Sequence, residues 1–514
     1  MKYILFIFVS VFIAVSCIDD KTNLDYKEIN EYENWKIEGI DGSYSLFPGE
    51  SVVLTPKVRL SIDSLNPDLS YSWLLDGKEV STEASYTFTA DVYGDYELIF
   101  NAIDNKTGVA FPEQAIMNVT PLYKLGWLFL GRTASGDSRL DMLITKRQTI
   151  HYLLDGKYDR WRDSLVHVQF ASGLGEQLGT GPIKLENVMT GGEEDEVMVV
   201  QRTGGCYYLS GADFQKVAAL HEEFPGAAYP AGVEPVDVRN GGWHDFVLSA
   251  GGEVYWRRNV GSETQHVSAF IDIPLYFEGA QDGGKITKLF DLDTKACGAV
   301  LMYDEGNSRI VGRITSFNSN SDSGPLNFIY TPDEPDVVKF YDLTGYKVLY
   351  LGDYGDGSGL MAMLKEESTG KYLYQNMEMD SWIDFNIMNC TQEVFAGSDV
   401  ISDNTVYFRI RNSSYLFMGE GNRLYFYDVN TKRVKLFTSY TTGNIVEILQ
   451  DADAGGIGVA LDDGNFYIYK LSTEVLADDN PGEKGLLFSV SGLGKIVDVE
   501  WKWGGSYNWA FGRY

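Results

Sequence analysis

Histidine, cysteine and proline are scarce in this chain of 514 residues, which holds five, four and 14 of them respectively. Cys17, Cys206, Cys297 and Cys390 stand far apart, with no CxxC or Cys/His spacing suited to zinc, which excludes a disulfide-stapled scaffold and a structural zinc site. The last three are expected as small buried hydrophobes. Cationic side chains are also in deficit: 42 Lys and Arg face 73 Asp and Glu, a net charge of −31. A surface of that sign repels phosphate backbones, so nucleic acid is excluded as a partner. After the first 17 residues no run approaches eighteen consecutive apolar side chains, so no later segment reads as a membrane-spanning helix.

Catalytic signatures are missing too. There is no HExxH, no GxSxG elbow, no GxxxxGK[ST] and no GxGxxG opening a helix. His151, His167, His221, His244 and His266 are scattered, none beside a nucleophile. The turns Asp353-Tyr354-Gly355-Asp356-Gly357 and Asp451-Ala452-Asp453 hold clustered oxygens of the kind calcium takes. Asp and Gly are also what tight turns require, and no metal is assigned there. The sequence therefore assigns no catalytic residue, no metal ligand and no cofactor, and the chain reads as a binding protein.

What is present is aromatic and glycine-rich. Phe, Trp and Tyr make up 14% of the chain beside 54 glycines, a balance that favours strands and tight turns. The first residues carry a different message. Lys2 precedes the apolar run Tyr3–Ile13, and Ala14-Val15-Ser16 leads into Cys17. This is a secretory signal over residues 1–16, too short to span a bilayer. Small residues before Cys17 resemble a bacterial lipobox, although Ala14 stands where leucine is usual; the resemblance implies acylation of Cys17 and a stable lipid anchor. From Asp19 to Glu33 six acids face two lysines, so residues 17–34 read as a solvated tether. Acids directly behind a lipidated cysteine resemble the signal that sends lipoproteins to the outer face of certain outer membranes.

Residues 35–121 read as a β-sandwich. Ser51–Val58 is an early strand pair, Leu69–Lys78 a strand ending in an Asp76-Gly77 hairpin turn, and Gly94–Asp104 a long strand of period two. Trp73 on a central strand, followed by Tyr96 entering another, matches the logic of an immunoglobulin-like sandwich, with the Trp between the sheets and the Tyr hydroxyl tying a corner.

Residues 122–514 repeat one hairpin: a short apolar strand, a turn, then an aromatic-rich strand. It is read at 142–154, 197–209, 246–256, 300–311, 361–374, 415–427 and 459–469. The anchors Tyr152, Tyr207, Tyr255, Ile310, Tyr372, Tyr425 and Tyr467 are 55, 48, 55, 62, 53 and 42 residues apart, close to the length of a four-stranded propeller blade. Apolar strands such as Ile445–Leu449 and Ile286–Phe290 precede the hairpins. The expected fold is thus all-β: an immunoglobulin-like sandwich followed by a seven-bladed β-propeller. Ile496–Trp503 and Tyr507–Phe511 would close it against Trp127–Leu130, or make an eighth blade if they form a sheet of their own.

Trp243 and His244 follow Gly241-Gly242 in an expected loop, and Tyr255-Trp256-Arg257-Arg258 couples rings to cations. Rings stack on sugars or peptide groups and Arg clamps carboxylates, which makes Trp243, His244, Trp256, Arg257 and Arg258 candidate ligand contacts. Cross-strand aromatic packing is the other use of each.

The segments Tyr71–Gly77 and Gly94–Asp104 resemble the PKD (polycystic-kidney-disease) repeat, so the sandwich is a binding module or a spacer. Together with the lipidated cysteine, the acidic tether and the propeller-like region, the whole chain resembles the PKD-like lipoproteins found beside SusC/SusD-type outer-membrane importers. That resemblance implies an outer-membrane, cell-surface accessory lipoprotein that helps a SusC/SusD-like complex capture oligopeptides or glycans. It carries over no binding residue. The alternatives are a surface glycoside hydrolase or lyase working in the propeller channel, and capture of a siderophore or other metal chelate.

Overall fold

The computed structural model describes residues 29–504 apart from 31–36, 63–66, 155–157, 189, 191–194, 241–243, 259–265, 278–283, 291, 293–298, 315–326, 329–335, 355–358, 381–385, 412 and 452–455. The signal segment, Cys17, the tether apart from Ile29 and Asn30, Trp243, Cys297 and Tyr507–Phe511 lie outside the described residues; Asn30, expected in a solvated tether, is instead buried and donates to Asp104 at 3.0 Å. The chain is all-β, as its composition led us to expect, and divides into two compact units, up to Val119 and from Thr120.

In the first unit, Ser43–Leu46, Ala110–Val119, Gly94–Asp104, Leu69–Leu75 and Lys78–Ser81 form one sheet in that order, and Ser51–Leu54 pairs with Tyr86–Thr89 in a second. Between them Trp73 is fully buried, 4.6 Å from the Phe100 ring and 5.5 Å from Tyr86. Its indole N–H donates to the Glu83 carbonyl at 2.8 Å, so the polar atom of the largest core ring is satisfied. Tyr96 donates its hydroxyl to the Val92 carbonyl at 2.9 Å, the corner tie expected from the sequence. The turn at Asp76-Gly77 has φ of 47° and 75°; two successive left-handed residues give the twist that a two-residue hairpin needs.

The second unit is a succession of seven antiparallel sheets among the described residues. In chain order, the second comprises Thr180–Val188, Glu196–Thr203, Tyr207–Ser210 and Lys216–Ala219, and the third Pro235–Asn240, His244–Ser249 and Val254–Arg258. Along the outer edge of the third, Ile271 and Leu275 donate to the carbonyls of Trp256 and Val254. The fourth is built from Ile286–Leu289, Ala299–Asp304, Arg309–Ile314 and Asn327–Phe328; the fifth from Tyr346–Tyr354, Gly359–Glu366, Tyr372–Asp380 and Asn386–Val394. The sixth uses Val406–Arg409, Tyr415–Glu420, Arg423–Asp428 and Arg433–Ser439; the seventh Ile445–Gln450, Gly456–Leu461, Phe466–Lys470 and Leu486–Val490.

The first sheet differs because both ends of the unit contribute to it. Gly126–Arg132, Ser138–Leu154 and Tyr158–Ser172 are joined by Lys495–Lys502, which pairs antiparallel with Gly126–Arg132 so that Trp501 faces Trp127 and Val499 faces Phe129. Trp127 and Trp501 meet edge to face at 4.9 Å, and Phe466 of the seventh sheet packs 5.2 Å from Trp127. Gly458 makes room for this wedge, since a Cβ there would stand 2.9 Å from the Trp127 ring.

Five of the seven hairpins read from the sequence are the middle strands of their sheets, and a sixth, at 246–256, is formed by the second and last strands of the three-stranded third sheet. The first is not a hairpin. Ser138–Leu154 is one continuous strand that pairs with Tyr158–Ser172, and Leu154 faces Tyr158 across it. The stretch Lys146-Arg147-Gln148-Thr149 contains none of the Gly, Pro, Asn or Asp residues that turn a chain, so nothing interrupts the strand.

Candidate functional site: a cavity among the leading strands

Seven strands each occupy the same edge of their sheet: Lys495–Lys502, Thr180–Val188, Pro235–Asn240, Ile286–Leu289, Tyr346–Tyr354, Val406–Arg409 and Ile445–Gln450. These leading strands share a sequence grammar that the hairpin reading passed over. Six of them shift register by one residue just before an ionisable or phenolic position, at Ile445/Glu447, Ile496/Asp498, Pro182/Lys184, Pro235/Asp237, Ile286/Lys288 and Val348/Tyr350, and the skipped residue is apolar in all but the fifth, where it is Thr287. A bulge re-aims the following side chain, and it does so here at the corresponding place in six sheets.

Edge strands leave backbone amides unpaired. Here side chains of the neighbouring sheet accept from them. Glu447 of the seventh sheet accepts from the Val499 amide of the first at 2.7 Å. Asp498 of the first accepts from the Leu185 amide of the second at 2.6 Å, and Glu186 of the second from the Asn240 amide of the third at 3.0 Å. On the other side Tyr350 accepts from the Arg409 amide at 3.0 Å and Gln450 from the Arg411 amide at 3.2 Å. Side chains of one sheet thereby stitch the edge of the next, satisfying polar groups that burial would otherwise penalise.

Six of the seven leading strands, with residues that follow them, line one cavity of about 340 Å³. Its walls include Trp501, Trp503, Tyr350, Tyr407, Phe290 and Phe408, and its ionisable side chains are Arg239, Lys288, Arg409, Arg411, Asp353, Glu447 and Glu500. Arg239 reaches Glu186 at 2.9 Å. Arg409 donates to the Tyr415 carbonyl at 2.8 Å. Two cations sit over rings: Lys288 lies 5.4 Å from the Phe290 centroid and the Arg411 guanidinium 5.9 Å from that of Trp503. Burial, reinforced by the nearby Asp498 charge, lifts the Glu447 carboxyl well above the usual carboxylate range, although Lys184 and the Val499 amide pull the other way.

The residues singled out from the sequence sit elsewhere. His244, Trp256 and Arg257 are buried in the third sheet and Arg258 is exposed; Trp243 is outside the described residues. Four consecutive residues, Val254–Arg257, are buried between neighbouring sheets, and exposure begins only at Arg258, the last residue of the strand. Trp256 pairs with Phe246 and packs into the core shared with the fourth sheet, 5.4 Å from the His244 ring. Arg257 is fully buried. It donates to Asp245 at 2.7 Å, to Glu223, and to the Tyr208 hydroxyl at 3.3 Å. Glu223 also meets His266 Nδ1 at 3.0 Å, and His266 Nε2 meets Glu196 at 2.8 Å. Asp245 accepts from Asn240 at 2.7 Å, so a continuous polar chain runs from Glu196 to Asn240 between the second and third sheets. These side chains are used in holding sheets together. Cys206 and Cys390 are buried, and among the described residues no group of three His, Cys, Asp or Glu is arranged for a metal.

Comparison with known proteins adds the following. No curated protein matches the sequence. Among solved structures, a quinonprotein alcohol dehydrogenase-like protein from Bacteroides thetaiotaomicron aligns over 93% of this chain and 100% of its own, at 12% identity and a TM-score of 0.40. The dihydro-heme d1 dehydrogenase NirN, in complex with DHE, aligns over 75% of this chain and 77% of its own, at 10% identity and a TM-score of 0.40. Residues 17–182, a stretch that takes in every described strand of the first unit and reaches into the second sheet of the other, match the model of the PKD-like family.

Proposed function

We propose that the seven sheets are the blades of a seven-bladed β-propeller, and that the protein is a non-catalytic, lipid-anchored accessory of a SusC/SusD-type importer that binds oligopeptides or glycans in the propeller's central cavity. Support for the propeller comes from the stitching of leading strands around the cavity and from Lys495–Lys502 completing the first sheet, which leaves no strand over for an eighth among the described residues. The observation that carries the binding role is the cavity of about 340 Å³, whose ring faces and polar side chains come from many sheets at once. Pockets of this size and mixed lining suit small polar ligands. A surface location follows from the lipobox resemblance at Cys17 and the acidic tether behind it.

A second reading is favoured by one feature. Burial and the neighbouring Asp498 and Glu500 charges raise the Glu447 carboxyl in the cavity wall, and glycoside hydrolysis needs a carboxyl of raised pKa near a second carboxylate. One experiment separates the two. Tagged protein is recovered from solubilised outer membranes, its co-purifying proteins are identified, and it is incubated with polysaccharides. The importer reading expects a SusC/SusD-type pair and no turnover. Turnover that is abolished by Glu447→Gln, with no such pair recovered, would replace it with the hydrolase.

A further inference from the structure

The cavity takes its walls mainly from the later residues of the leading strands and from Phe290, Leu292, Arg411 and Trp503, which come just after them. It therefore lies toward the end at which those strands finish. In the other six sheets the chain goes on from that end into the second strand of the same sheet, as Val406–Arg409 does into Tyr415–Glu420. The first sheet is wound in a different order: its leading strand, Lys495–Lys502, comes last, when the other three are already in place. Gly126–Arg132 is then paired on both edges, by Ser138–Leu154 and by Lys495–Lys502, and cannot take another strand. The chain thus passes Trp503, a wall of the cavity, and Gly504, and no further strand follows among the described residues.

The sequence continues through residues 505–514, which hold Tyr507, Trp509, Phe511 and Tyr514 and no acidic side chain. We infer that this segment turns back into the cavity and fills it with Tyr507 and Trp509, as a resident peptide that an incoming ligand has to displace. Tyr507 and Trp509 stand three and five residues past Gly504, a reach of about 10 and 17 Å for an extended chain. A cavity of about 340 Å³ is more than twice the size that takes one benzene ring, about 150 Å³, so two rings fit it. Its walls offer them Trp501, Trp503, Tyr350, Tyr407 and Phe408, and ring pairs add to what burial alone contributes. Joined to the wall through Gly504, the segment acts at an effective concentration of the order of millimolar, enough to compete with weak ligands. The inference goes beyond the binding role proposed above and does not depend on it.

Photo-cross-linking tests it on the full chain, purified in detergent and carrying p-benzoylphenylalanine in place of Trp509. After irradiation the cross-linked peptides are mapped by mass spectrometry. The expected cross-links join position 509, within one copy, to cavity walls on Tyr346–Tyr354, Val406–Arg409 or Ile445–Gln450. Cross-links confined to other surfaces or to a second copy, or none at all, would overturn the inference and leave the binding role standing. A synthetic peptide of residues 505–514 gives a second measurement, titrated by calorimetry into the full chain and into a chain ending at Gly504, which keeps every described strand. It should bind the shortened chain at least about tenfold more tightly than the full one, whose own segment competes with it. The same peptide with Tyr507→Ala and Trp509→Ala should bind neither. Equal binding of the unaltered peptide to both chains, or to neither, would count against the inference, and the cross-linking needs no shortened chain to fold.

Discussion

His266 sits between two carboxylates, and its titration follows from that placement. Burial alone would lower its pKa, but hydrogen bonds to Glu196 and Glu223, and their charges, more than offset this and lift it from 6.5 to about 9. A folded-state pKa above the unfolded one means the imidazolium stabilises the fold fully below about 6.5 and loses that contribution as pH rises through about 9. We expect the melting temperature of the protein to fall between pH 7 and pH 10 by more than that of His266→Gln, whose profile should be flatter over the same range. Parallel profiles for the two proteins would contradict this. No sequence spacing announced the cluster. Glu196, Glu223 and His266 belong to a strand, a short 3₁₀ turn and a loop up to 70 residues apart, and only packing of two sheets brings them together. The same holds for Arg257. Its neighbours Tyr255, Trp256 and Arg258 made it look like part of an exposed binding face, whereas its partners Asp245 and Glu223 lie on other elements. Trp73 and Tyr96, by contrast, were legible because a core indole and a corner hydroxyl are fixed by local strand order.

Middle strands of the sheets were the easiest elements to read, since each pair is apolar, tightly turned and local in sequence. The leading strands were harder. Their bulges put an ionisable residue after an apolar pair, as in Ile445-Val446-Glu447 and Ile496-Val497-Asp498, and this breaks the strict alternation that marks a strand. Aligning these short segments with one another would have exposed the repeated position, and with it Glu447, Lys288 and Tyr350 of the cavity wall. The misread hairpin at 142–154 failed for the opposite reason: periodicity was followed where turn chemistry was missing. The strand Lys495–Lys502 was legible only as an apolar segment in need of a partner, and its pairing with Gly126–Arg132 gives it a decisive place. Ending the chain after Gly494 strips the cover from Trp127 and Phe129, and also removes Asp498, which accepts from the Leu185 amide. We expect the truncated second unit to lose a large part of the roughly 5–15 kcal/mol that a domain commonly has, and therefore its cooperative thermal transition by circular dichroism. A truncated chain that melts like the full one would show that the strand is dispensable.

Each of the two units has a hydrophobic core made from its own residues, the first centred on Trp73 and Phe100 and the second spread over the cores between successive sheets. Such units unfold as separate cooperative systems. Differential scanning calorimetry of the whole protein should resolve two transitions, and Trp73→Ala, which empties a core site at a cost of about 3–5 kcal/mol, should lower only one of them. A shift in both would mean the units melt together. The all-β class was readable at this scale because one hairpin recurs after residue 121, while the cavity was not, since it exists only where strands hundreds of residues apart converge.

The sheet that unites residues 126–172 with residues 495–502 also sets a timetable. While the protein is being synthesised, Trp127 and Phe129 leave the ribosome more than 360 residues before the segment that covers them. The first sheet therefore closes only after residues 495–502 have been made, and the face of Trp127 and Phe129 that they cover stays open through most of the unit's synthesis.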